Sequence, residues 1–118
     1  MNIEEFVQKA IREDISITDI ESYSKSSSTD IESAFNKLSL HFAEKFNEGS
    51  ISYTDCDFAM NGIWPIMLDY IMEKDIPLLE PCYEIYCAFD AGEYNHGDDA
   101  DPVEKYTLPA IKEILENA

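Results

Sequence analysis

Apolar residues recur along this chain at three- and four-residue intervals almost from end to end, and that spacing restricts the fold more than any other feature. A stripe at i, i+3, i+4 and i+7 lies on one face of an α-helix, whereas a half-buried strand needs strict alternation. Ile3, Phe6, Val7, Ala10 and Ile11 form the first stripe, with Asn2 placed to cap it and Glu4 and Glu5 beside the positive end of the helix dipole. This helix is expected to reach about Glu13. Ile17, Ile20 and Tyr23 read as a short helical turn capped by Ser16 or Thr18, and the run SKSSST at 24–29 reads as a mobile connection.

Ser28 or Thr29 is placed to cap a long helix whose stripe is Ile31, Ala34, Phe35, Leu38, Phe42 and Phe46, with Gly49 as its C-terminal stop. The next helix is expected from Thr54, with Asp55 and Asp57 in its first turn and Phe58, Ala59, Ile63, Met67, Tyr70 and Ile71 on its apolar side. Pro65 removes a backbone donor there, so a kink, or two short helices meeting near Gly62 and Trp64, is expected. From Leu79, the residues Cys82, Tyr83, Tyr86 and Cys87 continue the pattern to about Ala91 and Gly92. EYNHGDDAD at 93–101 reads as an acidic loop. Asp101 and Pro102 then form a cap and first helical position for a last helix carrying Val103, Tyr106, Ala110, Ile111, Ile114 and Leu115, bent at Pro109. No segment alternates convincingly, although ISYTD at 51–55 has the composition of a brief extended stretch. The expected architecture is all-α: one domain over residues 1–118, a bundle of four to five antiparallel helices, one kinked or broken near Pro65.

A hydrophobic content of 45% over 118 residues supports one core without metal or disulfide staples. The charge is lopsided: 25 Asp plus Glu oppose 8 Lys plus Arg, a formal net charge of −17. Such a field repels nucleic acid, whose binding rests on Lys and Arg releasing counterions, and it repels anionic membrane surfaces too. A basic protein partner is the natural complement. Cys56, Cys82 and Cys87 are odd in number and lack the paired spacing of a disulfide framework, so reduced thiols are expected. MNIEEFVQKAIRED has neither the basic start nor the apolar run of a signal peptide, and a cytoplasmic location is the expectation.

Candidates for chemistry are sparse. His41 falls beside the stripe of its helix and reads as a core-edge histidine. His96 has Glu93, Asp98, Asp99 and Asp101 nearby in sequence, but their order does not match a calcium-binding loop, so no metal site is assigned. GxSxG, GxGxxG, HExxH, CxxC and Walker patterns are all missing. The chain is therefore read as a non-enzyme that uses no cofactor.

What remains is a segment from Cys82 to Tyr106 in which acids and tyrosines interleave around a single basic residue, Lys105. Carboxylates steer a cationic surface toward contact, and tyrosines supply buried area and directional hydrogen bonds at interfaces. Asp90, Glu93, Asp98, Asp99 and Asp101, with Tyr94 as an exposed aromatic anchor, are the candidate partner-binding residues; Tyr83, Tyr86 and Tyr106 read as core. In overall character, and through EEFVQ at 4–8 and FDAGEYNHGDDADPVEKYTLPAI at 89–111, the chain resembles the immunity proteins of bacterial polymorphic toxin systems, including contact-dependent inhibition and colicin-type pairs. The resemblance implies a helical protein that binds a cognate basic toxin domain, often a nuclease, and blocks its active site or a neighbouring exosite. The paired-tyrosine motif of the colicin-nuclease immunity proteins is not reproduced, so no binding residue transfers from it. Two other readings compete: an acidic adaptor or nucleic-acid mimic for another basic protein, and a small metal-binding protein or enzyme using His96 and the 93–101 loop.

Overall fold

The computed structural model describes all 118 residues and contains no strand. Six α-helices follow in order: α1 (Ile3–Ile11), α2 (Ile17–Ser26), α3 (Ile31–Glu48), α4 (Tyr53–Lys74), α5 (Cys82–Asp90) and α6 (Leu108–Glu116). A 3-10 turn (Ala91–Glu93) extends α5, and a π-helical turn (Val103–Thr107) leads into α6. The all-helical class agrees with the periodicity, but six helices replace the expected four to five.

The additional helix is α2. Its sequence looked too polar past Tyr23 to continue, yet it takes in Ser24, Lys25 and Ser26. Two contacts account for this. The Asp19 carboxylate accepts the Ser16 N–H at 2.9 Å, closing the first turn, and it pairs with Lys9 of α1 at 2.8 Å. Buried Ile20 and Ser24 then face α3 and the rest of the core. The connection to α3 is accordingly only a few residues long, and Asp30, rather than Ser28 or Thr29, caps α3 by accepting the Ser33 N–H at 2.7 Å.

The caps at the other ends follow their chemistry. Asn2 accepts the Glu5 N–H at 2.9 Å at the start of α1. Gly49 ends α3 with φ +80°, a backbone region that a side chain would strain. Ser52 caps α4 by accepting from Asp55 N–H at 3.2 Å, so α4 begins at Tyr53 and the brief extended stretch expected at 51–55 does not form. At α5 the cap comes from elsewhere in the chain: the Asn36 side chain on α3 accepts the Cys82 N–H at 3.1 Å.

Two prolines were expected to disturb helices. Pro65 does not break α4, which runs as one helix of 22 residues. Its ring is on the exposed side, while Ile63 and Met67 around it are buried, so packing keeps both flanking turns helical despite the lost hydrogen bond. Pro109 acts more visibly. It lies just after the π-helical turn, in which the Leu108 N–H bonds to the Val103 carbonyl. Widening the turn is a known way for a helix to accommodate a residue that cannot donate. Asp101 starts this segment as expected, its side chain accepting the Val103 N–H at 3.0 Å.

Helix α3 is central and packs against α2, α4, α5 and α6; α4 also packs on α1 and α5. Phe6, Phe35, Phe42 and Phe89, all fully buried, fill the middle, and Phe46 meets Phe89 edge-on at 5.3 Å. The end of α5 is tied down by two hydroxyls. Tyr53 Oη donates to the Phe89 carbonyl at 2.7 Å, and Thr107 Oγ1 donates to the Ala88 carbonyl at 2.7 Å, so two carbonyls at a helix C-terminus find partners inside the protein. Gly92 sits between these hydroxyls. A Cβ there would lie 2.5 Å from Thr107 Oγ1 and 2.8 Å from Tyr53 Oη. The glycine is what lets α4, the turn after α5 and the π turn converge.

Candidate functional site

That convergence sets two side-chain rows opposite each other. On α4, Asp57, Asn61 and Trp64 are spaced i, i+4 and i+7, hence on one face; Tyr86, Asp90 and Glu93 repeat the spacing along α5 and the 3-10 turn. Trp64 and Tyr86 stack with centroids 4.7 Å apart and planes 11° from parallel. Tyr83 leans on the same indole at 5.4 Å. At the other end of the rows, Asn61 Nδ2 donates to Glu93 Oε1 at 3.2 Å.

Three carboxyl groups therefore gather beside an aromatic stack. Asp57 is only 7% exposed, and its Oδ1 is buried without a hydrogen-bond partner. Burial, reinforced by Glu93 and Asp90, pushes its pKa up to about 7. Asp90 is also raised, chiefly through its hydrogen bond with Glu93, while Glu93 is lowered by hydrogen bonds from Asp90 and Asp57. Glu93 is thus the favoured site of negative charge among the three, and Asp57 and Asp90 are both shifted toward their protonated forms. The chain's three ion pairs, Lys9–Asp19, Lys45–Glu48 and Lys105–Asp98, all lie elsewhere, so no cation of the protein serves this cluster.

The predicted partner-binding residues separate into distinct roles. Asp90 and Glu93 belong to the cluster just described. Tyr94 is 54% exposed and packs on the His96 ring at 4.6 Å, which in turn lies 3.8 Å from Tyr106. Asp98 is engaged internally: Lys105 Nζ and Tyr106 Oη donate to it at 2.7 and 2.8 Å, and these bonds hold its pKa down to about 2. Asp101 caps the last helical segment, and Asp99 is exposed. His96 Nε2 is hydrogen-bonded to the Ala91 carbonyl at 2.7 Å, which holds the loop against the end of α5.

Asp57, Asn61 and Trp64 were not singled out from sequence. Sequence alone places Asp57 in the first turn of its helix and Trp64 beside the proline. The i, i+4, i+7 match between the rows was the available signal, but only the pairing of α4 with α5 gives it meaning. Tyr83, Tyr86 and Tyr106, expected in the core, are half-buried and line its surface instead. His41 is half-buried next to Phe42, its pKa lowered mainly by burial, in keeping with a core-edge position.

Beside the cluster, α5 and α6 border a groove of about 660 Å³. Tyr83, Cys87, Tyr106 and Ile114 line it, and Glu80, Glu84 and Glu113 stand at its sides. The Cys87 thiol is exposed, whereas Cys56 and Cys82 are buried and pushed up to about 12 and about 11. No group of His, Cys, Asp and Glu is arranged to hold a metal ion, and no helix is long and apolar enough to cross a membrane. No protein-family model, curated protein or solved structure matches the chain.

Proposed function

We propose that this protein is an immunity protein, which binds a cognate basic toxin domain and neutralises it through the surface formed by α4, α5 and the 93–101 loop. The observation that carries this reading is the joining of carboxyls that no cation of the protein pairs with, Asp90 and Glu93, to a stacked aromatic pair, Trp64 and Tyr86, on a chain of net charge −17. Charge at the rim accelerates encounter with a cationic partner, and desolvated Trp and Tyr side chains supply the contacts that slow release. Asp99 and Tyr94 extend the surface; Asp98 and Asp101 shape the loop and contribute charge from fixed positions. Inhibition of this kind needs neither turnover nor a cofactor, and a nuclease is the toxin class whose own substrate site best matches an acidic surface.

An immunity gene lies next to its toxin gene, so the C-terminal domain encoded by the adjacent upstream gene is the partner to test. Co-expressed with this chain, that domain should lose its toxicity and co-purify as a stable complex. A domain that remained toxic and did not co-purify would contradict the assignment, and capture of a different basic protein would favour an acidic adaptor.

A further inference from the structure

We propose that the Asp57–Asp90–Glu93 cluster, with the Trp64–Tyr86 stack as its wall, is a receptor for one arginine side chain of the basic partner, which enters in exchange for a proton held between the carboxyls. This rests on the proposed function and adds to it the class of group recognised.

Asp57, more than nine-tenths buried, has an Oδ1 with no donor, and the group beside it across the α4–α5 contact is another acid, Glu93, which Asn61, one turn along from Asp57, holds at 3.2 Å. Two ionised carboxylates only accept, so contact between them requires a positive species: a proton or a cation. The charged groups acting on Asp57 are Glu93 from the 3-10 turn and Asp90 from α5, both acidic; the nearby phenols are Tyr53 on its own helix and Tyr86 on α5. In the free protein a shared proton meets the requirement. That is consistent with the raised pKa of Asp57 and the lowered one of Glu93.

Geometry favours a guanidinium over an ammonium as the replacement. Glu93 is exposed and Asp90 half-exposed, so both are reachable from solvent, with Asp57 behind them. A planar fork can bridge two carboxylates while its flat face lies on an aromatic ring, and Trp64 and Tyr86 stand one helical turn from Asn61 and Asp90 respectively. A lysine offers a point charge and cannot satisfy both contacts together. The exchange balances: the guanidinium enters as a cation, and the proton released from the Asp57–Glu93 contact leaves to solvent.

The chain has a single tryptophan, so its indole N–H signal reports on this site without ambiguity. The free protein is titrated with the peptide acetyl-Gly-Arg-Gly-amide, and separately with its lysine counterpart, at pH 6 and pH 8. The arginine peptide should shift the Trp64 indole saturably, with an affinity about tenfold higher at pH 8 because one proton bound with a pKa near 7 no longer has to be displaced. The lysine peptide should bind more weakly. Glu93→Gln should abolish the saturable shift, and Asp57→Asn should leave weak binding without pH dependence. Glu93 is exposed, so its variant remains decisive even if Asp57→Asn fails to fold. Absence of a saturable shift, equal binding of the two peptides, a pH-independent affinity in the unaltered protein, or full retention of the shift in Glu93→Gln would each overturn the proposal. The assay uses no toxin. A negative result beside successful toxin capture removes the arginine receptor alone, and the converse result removes only the immunity assignment.

Discussion

Trp64 of α4 and Tyr86 of α5 stack 4.7 Å apart within 11° of parallel, and this contact joins the two helices at the surface rather than in the core. Both rings are half-buried, so the pair reaches the surface. Trp64→Ala removes the stack and some packing around Tyr83, and should cost about 1–2 kcal/mol, less than truncation of a fully buried aromatic. Thermal melting measures that loss. On the proposed function the ring is an interface anchor, so partner affinity should fall by more than the same free energy.

Asp57 gives the fold an unusual pH dependence. An acid whose pKa is higher folded than unfolded binds more protons in the native state between the two values, so stability declines as pH rises through that window. For Asp57 the window runs from 3.8 to about 7. Asp30 and Asp98 act in the opposite sense, since hydrogen bonds lower their pKa values, and their contribution is lost only as pH falls through those lowered values; His41, lowered by burial, also opposes Asp57 as pH rises toward 6.5, but through a smaller shift. Melting temperature should therefore fall from pH 5 to pH 8. Asp57→Asn, whose amide can donate to Glu93, should flatten that decline and melt higher than the unaltered protein at pH 8 by at least about 4 °C, the shift that ~1 kcal/mol produces in a domain of this size. A variant that melts lower at pH 8 and retains the decline would assign the effect to another group.

Gly92 permits the close meeting of Tyr53 and Thr107, and Gly92→Ala should destabilise by about 1–3 kcal/mol through overpacking. Thr107→Val removes the donor to the Ala88 carbonyl at nearly constant shape, leaving that carbonyl buried and unpaired at a similar cost. Combining Gly92→Ala with Thr107→Ala opens the space and should recover part of the loss in chemical denaturation. Strict additivity would show that the two residues do not share a contact.

Much of the fold was legible in the sequence because stripes of Phe, Ile and Leu with period 3.6 survive any tertiary context. The Asn2 cap, the Gly49 stop and the Asp101 start are local chemistry and were read from neighbouring residues. Helix α2 was not, since its C-terminal half depends on the Lys9–Asp19 pair and on packing against α3 rather than on propensity. Pro65 does not divide its helix in two for the same reason: the helix is kept continuous by what packs on its other side. At the candidate site, Asp90 and Glu93 stood out by charge, but the acids around them are so numerous that sequence could not separate Asp98, which is tied to Lys105 and Tyr106, from a free surface carboxylate. Asp57 was invisible as a member because its partners come from α5, more than thirty residues onward.

Asp98→Asn should release the 93–101 loop without unfolding the protein. Lys105 and Tyr106 both donate to this one carboxylate oxygen, and the carboxylate raises the Tyr106 phenol pKa. In the variant, the Tyr106 pKa should drop toward its ordinary value in an ultraviolet titration, and amide exchange at Gly97 and Ala100 should accelerate. Melting temperature should change little, since an ion pair this accessible to solvent contributes little to stability. A large loss of stability would show that the loop contributes to the core instead.

Binding kinetics test most directly whether the acidic-aromatic face of α4 and α5 binds a basic toxin domain. Association and dissociation rates are measured between this chain and the C-terminal domain encoded by the adjacent upstream gene, at low and high salt, for the unaltered protein, Glu93→Lys with Asp99→Lys, and Trp64→Ala. Charge reversal should slow association, most strongly at low salt, whereas loss of the indole should speed dissociation at both salts, at a cost of roughly 2 kcal/mol or more. If both variants remained folded and bound with unchanged rate constants at both salts, this face would not be the interface and the account would be wrong.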